Sequence, residues 1–168
     1  MNRLIDKFKL NDCKEIDRSI EKKIKILKLD IVRVEQLTAE LCEEFNLTNE
    51  YIPESQHFDE NFSVDNLCGI IYRGTNHVHN WIEQLDSTTK MYLITEDKIN
   101  RIDDVLKNPL NKDFPPVAMI NGKYYIDEGD GKHRLTIAKC IGNKKAKVII
   151  NKYIKKWDRK ETSNSLKE

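Results

Sequence analysis

The sequence lacks the features that would place it in a membrane, secreted or disulfide-bonded class. Its longest apolar runs are only a few residues, far short of the roughly 20 that span a bilayer. The N-terminal "MNRLIDKFKL" has no continuous apolar segment of the kind found in signal peptides. The cysteines Cys13, Cys42, Cys68 and Cys140 form no CxxC pair. We therefore expect a cytoplasmic protein whose thiols are reduced and structural.

Motifs of several enzyme classes are also missing. The chain contains no Walker P-loop and no Gly-x-Gly-x-x-Gly fingerprint. It contains no Gly-x-Ser-x-Gly nucleophile elbow either. The sequence therefore gives no support for three enzyme classes: P-loop hydrolases, dinucleotide-binding dehydrogenases and serine hydrolases with a nucleophile elbow.

Length and charge indicate a single core and an anionic partner. The 168 residues suit one domain, or one domain with a smaller appendage. The net charge is only +1, yet residues 131–160 carry eleven basic side chains and one acidic side chain. This excess is typical of proteins that bind phosphate-rich partners, unless the acidic middle of the chain neutralises it after folding. The side chains that we predict to contact DNA are Lys144, Lys145, Lys147, Lys152, Lys155 and Lys156.

The N-terminal half has a helical pattern. Apolar residues from Ile20 to Phe45 step by three, four or seven, which predicts one or two helices within residues 14–46. A break near Asp30 with a strand in "IKILKLDIVRV" is the alternative. This apolar stripe could pair with a second copy to form a homodimer, or pack on its own domain. Residues 47–66 read as a loop because they show no sustained period.

The remaining segments predict short helices and strands in alternation. "LCGIIYRG" is a candidate strand, and "TNHVHNWIEQL" is a candidate helix with Thr75 or Asn76 as N-cap. "MYLIT" predicts a strand and "KINRIDDVL" a short helix. "PPVAMI", the turn "NG" and "KYYID" predict a hairpin. A helix that ends at Gly142 and a last strand, "AKVIINKY", follow.

The stretch "DEGDGKHRLTIAK", residues 127–139, predicts an anion site between a strand and a helix. A helix N-terminus offers unpaired backbone N–H groups and a partial positive charge. Gly129 and Gly131 would let the backbone approach a phosphate, Lys132 and Arg134 would neutralise it, and His133 could donate a hydrogen bond. The plainer alternative is an N-cap at Asp130 with solvated cations behind it.

The acidic residues of this stretch suggest a metal ion. Asp127, Glu128 and Asp130 are misplaced beside a phosphate unless they hold a divalent cation or pair with the basic residues. Carboxylates together with phosphate oxygens are a common way to bind Mg²⁺. We predict Glu128 and Asp130 as Mg²⁺ ligands, and a nucleoside triphosphate as the second cofactor.

The series "FPPVAMINGKYYIDEGDGKHRLTIAKCIGNKKAKVII" resembles the ParB/sulfiredoxin-like fold. Members of this fold have a proline-opened strand, a hairpin, a Gly-x-His-Arg or related turn, an alanine-bearing helix and a closing strand. The resemblance implies a nucleotide-phosphate site at residues 129–134. Sulfiredoxins need a cysteine in this turn where this chain has Lys132, so the resemblance does not extend to sulfiredoxin activity.

These observations predict an α+β protein with a mostly helical N-terminal half and a small mixed-sheet ParB/sulfiredoxin-like domain. We expect a helical region over 1–90, the domain over 91–157 and a flexible tail over 158–168. The resemblance implies nucleotide or phosphoester binding, with a phosphotransferase, nucleotidase or nuclease activity as the enzymatic possibility. His133, Glu128 and Asp130 are the candidate catalytic residues. The alternative is a non-catalytic DNA-binding or adaptor module that uses the basic residues 131–160.

Two further groups of residues each allow a functional and a purely structural interpretation. His79 and Glu83 could share a helix face and bind a metal, although a polar helix face is the simpler interpretation. "NKYIKKWDRK" mixes aromatic and basic residues as nucleic-acid surfaces do. We favour docking of Tyr153, Ile154 and Trp157 on the core, with the lysines in water.

Overall fold

Helices and strands occur in short runs along the chain, as expected for an α+β protein. The computed structural model describes residues 19–74, 77–88, 96–107, 114–127 and 131–159. The helices in these ranges are α1 (Ser19–Ile26), α2 (Ile31–Ala39), α3 (Trp81–Asp86), α4 (Glu96–Asn100), α5 (Ile102–Lys107) and α6 (Gly131–Ile141). The strands are β1 (Glu43–Phe45), β2 (Tyr51–Ser63), β3 (Leu67–Ile71), β4 (Pro116–Ile120), β5 (Lys123–Ile126) and β6 (Lys145–Lys155). The α+β class is therefore confirmed.

The strands of the described chain form one mixed sheet in the order β1-β3-β5-β4-β6-β2. β1, β3 and β5 are parallel, β4 is antiparallel to β5, β6 is parallel to β4, and β2 is antiparallel to β6. Two strands that precede residue 90 in the sequence pair with strands that follow it: β2 hydrogen-bonds to β6, and β3 hydrogen-bonds to β5. The N-terminal half contributes β1, β2 and β3, so a mostly helical N-terminal half is not confirmed.

The prediction of a loop over residues 47–66 was wrong, because most of this segment is the long edge strand β2. Its side chains are largely exposed on both faces, so no apolar alternation marks it. Register shifts between Pro53 and Ser55 and between Asp59 and Phe62 further break its period. Bulges and a proline are typical of edge strands, which natural proteins protect against pairing with another chain.

The N-terminal helices α1 and α2 are confirmed, with a break where Asp30 caps α2. The Asp30 carboxylate accepts a 2.8 Å hydrogen bond from the Arg33 backbone N–H. The helical prediction failed beyond Ala39, since Glu43–Phe45 pairs with β3 as a strand. The apolar stripe packs mainly on its own domain: Ile20, Leu27 and Val34 are buried in the core.

The last third follows the sequence prediction closely. Asn121 and Gly122 have φ of 52° and 76°, as a two-residue hairpin turn between β4 and β5 requires. Gly142 ends α6 with φ of 84°. The "KINRIDDVL" segment forms α4 and α5, whereas the predicted strand "MYLIT" lies outside the described residues. The N-cap of α3 is Asn80 and not Thr75 or Asn76, since the Asn80 side chain accepts from the Glu83 N–H at 2.8 Å.

Two basic side chains fix helix ends inside the fold. The buried Lys23 ammonium donates to the carbonyls of Leu85, Asp86 and Thr88 at 3.0, 2.8 and 2.7 Å, which caps the C-terminus of α3. Arg33 caps α6 in the same way, because its guanidinium donates to the last carbonyls of that helix at 2.8 and 2.7 Å. These contacts satisfy carbonyls that a helix end leaves unpaired, and they hold α3 and α6 against the N-terminal helices.

Both faces of the sheet bury apolar side chains. The main core lies between the helices and the sheet, with Trp81, Leu135 and Val148 fully buried. On the opposite face, Ala118 and Tyr125 belong to a smaller cluster that includes Leu47 from the β1–β2 connection. None of the helices in the described ranges is long and apolar enough to cross a membrane.

Candidate functional site

The predicted phosphate-binding turn joins β5 to α6. β5 ends at Ile126 and α6 begins at Gly131, so the predicted strand and the predicted helix are both present on either side of this segment. Glu128, Gly129 and Asp130 lie outside the described residues. The turn is therefore described at its two ends only, by Asp127 and by the first residues of α6.

Gly131 lies at a close approach between α6 and the start of β4. A Cβ atom on this glycine would lie 2.1 Å from the Pro115 Cβ, a distance that no real pair of side chains adopts. Gly131 and Pro115 are both buried. Gly131 therefore has a packing role that was not predicted from the sequence. The sequence predicted only that this glycine lets the backbone approach a phosphate.

The first turn of α6 is basic. Lys132, His133 and Arg134 follow Gly131, their side chains are partly buried, and the turn contains no acidic residue. An anion in front of this turn would meet the partial charge of the helix N-terminus as well as these side chains. The Nδ1 atom of His133 is buried, so contact of this ring with a ligand would go through Nε2.

An arginine that the sequence analysis missed reaches the residue after β5. Arg73 donates from one terminal nitrogen to Asp127 Oδ1 at 2.7 Å, with side chains 41% and 9% exposed. Because β3 and β5 are parallel, their carboxyl ends lie at one edge of the sheet, and this pair joins them. Burial raises the pKa of the nearby Tyr153, with the Asp127 charge adding to the increase and Arg73 opposing it. Fifty-four residues separate Arg73 from Asp127, and no local sequence pattern links them.

A second polar cluster lies at the neighbouring strand end. His77 Nδ1 is 2.6 Å from a Glu44 carboxylate oxygen, and the His77 ring stacks on Tyr72 at 4.6 Å between centroids. The other Glu44 oxygen accepts from the Val78 N–H. Burial would raise the pKa of Glu44, but these hydrogen bonds prevail and lower it. The cluster anchors the chain that leads into α3.

Histidines do not assemble a metal site in the described parts of the chain. His79 Nδ1 lies 3.1 Å from a Glu83 oxygen, so the predicted alignment of these two side chains is present, but both are exposed. No group of three His, Cys, Asp or Glu side chains in the described residues is arranged to hold a metal ion. The His79–Glu83 contact is therefore best explained as a local pair at the start of α3.

The lysines predicted to contact DNA fall into two groups. Lys144 and Lys152 form ion pairs with Asp103 and Glu54 at 3.1 and 2.6 Å, so acidic residues from the middle of the chain cancel part of the basic segment. Among the described residues, the other four lysines take part in no ion pair. They are Lys145, Lys147, Lys155 and Lys156.

Trp157 does not dock on the core as the sequence analysis favoured. Its side chain is 51% exposed, and the Lys155 ammonium lies 5.0 Å from its ring centroid. Tyr153 is partly buried and packs against the smaller apolar cluster, so docking holds for this residue. The basic and aromatic end of β6 is thus partly open to solvent.

No protein-family model matches the chain, and neither a curated protein nor a solved structure shows significant similarity to it.

Proposed function

We propose that the chain binds a nucleoside triphosphate with Mg²⁺, or another phosphoester, at the start of α6, as a protein of the ParB/sulfiredoxin-like class. The observation that supports this most is the first turn of α6. This helix of 11 residues begins five positions after the last residue of β5, and its first turn carries two cations and a histidine but no acid. Such a turn favours an anionic ligand by both helix polarity and side-chain charge.

Each residue has a role in this proposal. The backbone amides at Gly129 and Gly131 approach the phosphate, and Lys132 and Arg134 neutralise its charge. His133 orients or donates to a phosphate oxygen through Nε2, because its Nδ1 is buried. Since Gly131 abuts the buried Pro115, the start of the helix is held in place, and its amides need little reorganisation when a ligand binds.

The proposed Mg²⁺ depends on Glu128 and Asp130. Asp127, the described carboxylate nearest to them in sequence, accepts a hydrogen bond from Arg73, so we do not assign it as a metal ligand. Carboxylate oxygens combined with phosphate oxygens match the hard ligands that Mg²⁺ prefers. When bound, the ion would neutralise phosphate charge.

Phosphoryl or phosphodiester transfer is the chemistry that these residue types suit. Lys132 and Arg134 would stabilise the charge that develops on the phosphate oxygens. Whichever of Glu128 and Asp130 does not hold the ion would accept the proton of the attacking hydroxyl or water, and His133 would protonate or orient the leaving oxygen. Binding without turnover is compatible with the same residues, so binding and turnover are tested separately.

Calorimetric titration of ATP and CTP, each with and without Mg²⁺, tests the binding site. We expect Arg134→Ala to abolish binding. Arg101→Ala, which removes an exposed arginine between α4 and α5, should leave the affinity unchanged. Equal affinities of the wild type and Arg134→Ala would refute the site. Stabilisation by duplex DNA alone, lost steeply as salt rises, would favour the DNA-binding or adaptor alternative.

Turnover is tested by measuring release or transfer of phosphate from any nucleotide that binds. We expect His133→Gln to lower the rate by about a hundredfold, since general acid–base catalysis typically contributes at least this much. The affinity for the nucleotide should change far less than the rate. An unchanged rate in the histidine variant would remove His133 from the chemistry but leave the binding site standing.

A further inference from the structure

A separate surface lies on the face of the sheet that points away from α6. Ala146, Val148 and Ile150 of β6 are buried in the main core, so the alternate residues of this strand face the other way. In the β2–β6 register, Gln56 pairs with Asn151 and its amide donates to Asn151 Oδ1 at 2.8 Å.

Other pairs extend the same surface along the two strands. Tyr51 pairs with Lys155, whose ammonium lies 6.0 Å from the tyrosine ring centroid. Phe58 pairs with Ile149 on the same side of the sheet. We call this surface the ribbon face, and it consists of Tyr51, Gln56, Phe58, Lys145, Lys147, Asn151, Lys155 and Trp157.

Two aromatic rings of the ribbon face are exposed to solvent. Phe58 is 43% exposed and packs edge-on against Phe114 at 4.4 Å between centroids. Trp157 is 51% exposed, and the Lys155 ammonium lies 5.0 Å from its ring centroid. A large apolar ring that is exposed offers a flat surface on which another ring can stack.

The ribbon face is mainly basic, and the exposed acidic residue Glu60 lies beside it, in the register shift of β2 between Asp59 and Phe62. Lys145, Lys147 and Lys155 form no ion pair with the residues that the structure describes, in contrast to the paired Lys144 and Lys152. The paired strand positions on this face contain no acidic side chain. The Gln56–Asn151 amide pair adds exposed donors and acceptors between the lysines. The surface therefore combines cations, amides and stacking rings.

We propose that the ribbon face binds single-stranded nucleic acid. The lysines would contact phosphates along β6, and Phe58 and Trp157 would each stack on an unpaired base. A duplex would leave both rings unused, because its bases already stack on one another. From Lys145 to Lys155 the strand extends about 33 Å, at roughly 3.3 Å per residue, which accommodates several nucleotides. The proposal is independent of the nucleotide site at α6 and goes beyond it.

Fluorescence anisotropy of a labelled oligothymidine of about 12 nucleotides tests the proposal with the full chain. We expect binding at least about tenfold tighter than for a duplex of the same length at equal salt. Tryptophan emission should be quenched on binding, and Trp157→Phe should remove the quenching because the other tryptophan, Trp81, is fully buried. Equal affinity for duplex and single strand would overturn the proposal.

Substitutions of aromatic and of basic residues distinguish the contribution of base stacking to binding from the contribution of charge. Phe58→Leu keeps an apolar contact with Phe114 but removes the ring, and should weaken binding about tenfold, as should Trp157→Ala. Lys145→Ala with Lys147→Ala should reduce the slope of log affinity against log salt by about 1.4, since each phosphate contact on a single strand contributes about 0.7.

The matched control removes two lysines elsewhere. Lys22 and Lys25 are exposed on α1, away from the ribbon face, and their double alanine variant should bind normally. If this control weakens binding as much as the β6 variants, the attraction is non-specific and the proposal fails. Arg134→Ala should bind the single strand normally, and loss of binding there would show that the ribbon face is not a separate site. Thermal unfolding of each variant identifies any that fail to fold.

Discussion

Arg73 donates a 2.7 Å hydrogen bond to Asp127, whose side chain is only 9% exposed, and so joins the residues that follow two parallel strands. The carboxyl ends of parallel strands are where open sheets place their ligands. In this chain the basic first turn of α6 begins at Gly131, five positions after the end of β5. The pair therefore supports the end of β5 from which the proposed phosphate turn departs.

The Arg73–Asp127 pair should contribute to stability through coupling of the two side chains. Arg73→Ala leaves a nearly buried carboxylate without this donor and should lower the free energy of unfolding by about 1–2 kcal/mol. Asp127→Asn in the same background should restore part of that loss, because it removes the buried charge. Urea unfolding of the two single variants, the double variant and the wild type measures the coupling. Strictly additive losses would show that the pair contributes no coupling.

Lys23→Met should destabilise the protein by about 2–4 kcal/mol. The side chain is 1% exposed and donates to three carbonyls at the end of α3, which methionine would leave without their donor. Lys22→Met is the matched control, because Lys22 is exposed on the same helix and its replacement should change stability by about 0.5 kcal/mol or less. Chemical denaturation compares the two variants, and equal effects would contradict the capping role.

Gly131→Ala distinguishes helix propensity from packing. Alanine is favoured over glycine in a helix by about 1 kcal/mol, so propensity alone predicts a more stable protein. The added Cβ would lie 2.1 Å from the Pro115 Cβ, and we expect this clash to prevail and to destabilise by about 1–3 kcal/mol. Differential scanning calorimetry gives the sign. A raised melting temperature would mean that α6 can move away from Pro115.

Glu43 should stabilise the protein at neutral pH and lose this effect in acid. Hydrogen bonds from Lys123 and the Tyr125 hydroxyl lower the pKa of Glu43 despite its partial burial. The unfolded chain, with a carboxyl pKa of about 4.3, therefore takes up the proton first as pH falls. The stabilisation is complete above that value and disappears as pH falls through the lower pKa of the folded state.

The measurement is the melting temperature of wild type and Glu43→Gln as a function of pH. The difference between them should be constant near neutral pH and shrink below about pH 4. Glu35→Gln, at an exposed position on α2, provides the reference variant. A difference between wild type and Glu43→Gln that does not change with pH would contradict the contribution of the ionised carboxylate.

The sequence predicted well those elements whose signals are local. The hairpin turn at Asn121 and Gly122 and the end of α6 at Gly142 each depend on residues within a few positions. β2 was missed because its partner β6 is far away in sequence, and because an exposed, bulged strand has no apolar period.

The candidate site was predictable only in part, for the same reason. Lys132, His133 and Arg134 stand next to each other in the sequence, so their common position on the first turn of α6 follows from one motif. Arg73 reaches Asp127 only because β3 and β5 are neighbours, and strand order is not encoded in either segment alone. The ribbon face depends on the β2–β6 register, which sequence periodicity did not reveal.

The position of β6 between β4 and β2 has a consequence for synthesis. β6 is the only strand of the described sheet that pairs with β2, and the register sets Tyr51 opposite Lys155. During synthesis, β2 leaves the ribosome well before β6. Until β6 has been made, β2 has no neighbouring strand of the described sheet to which it can hydrogen-bond. Such distant pairings slow folding and leave an unpaired edge exposed in the meantime. The proline and the charged residues of β2 would disfavour its pairing with another chain during that interval.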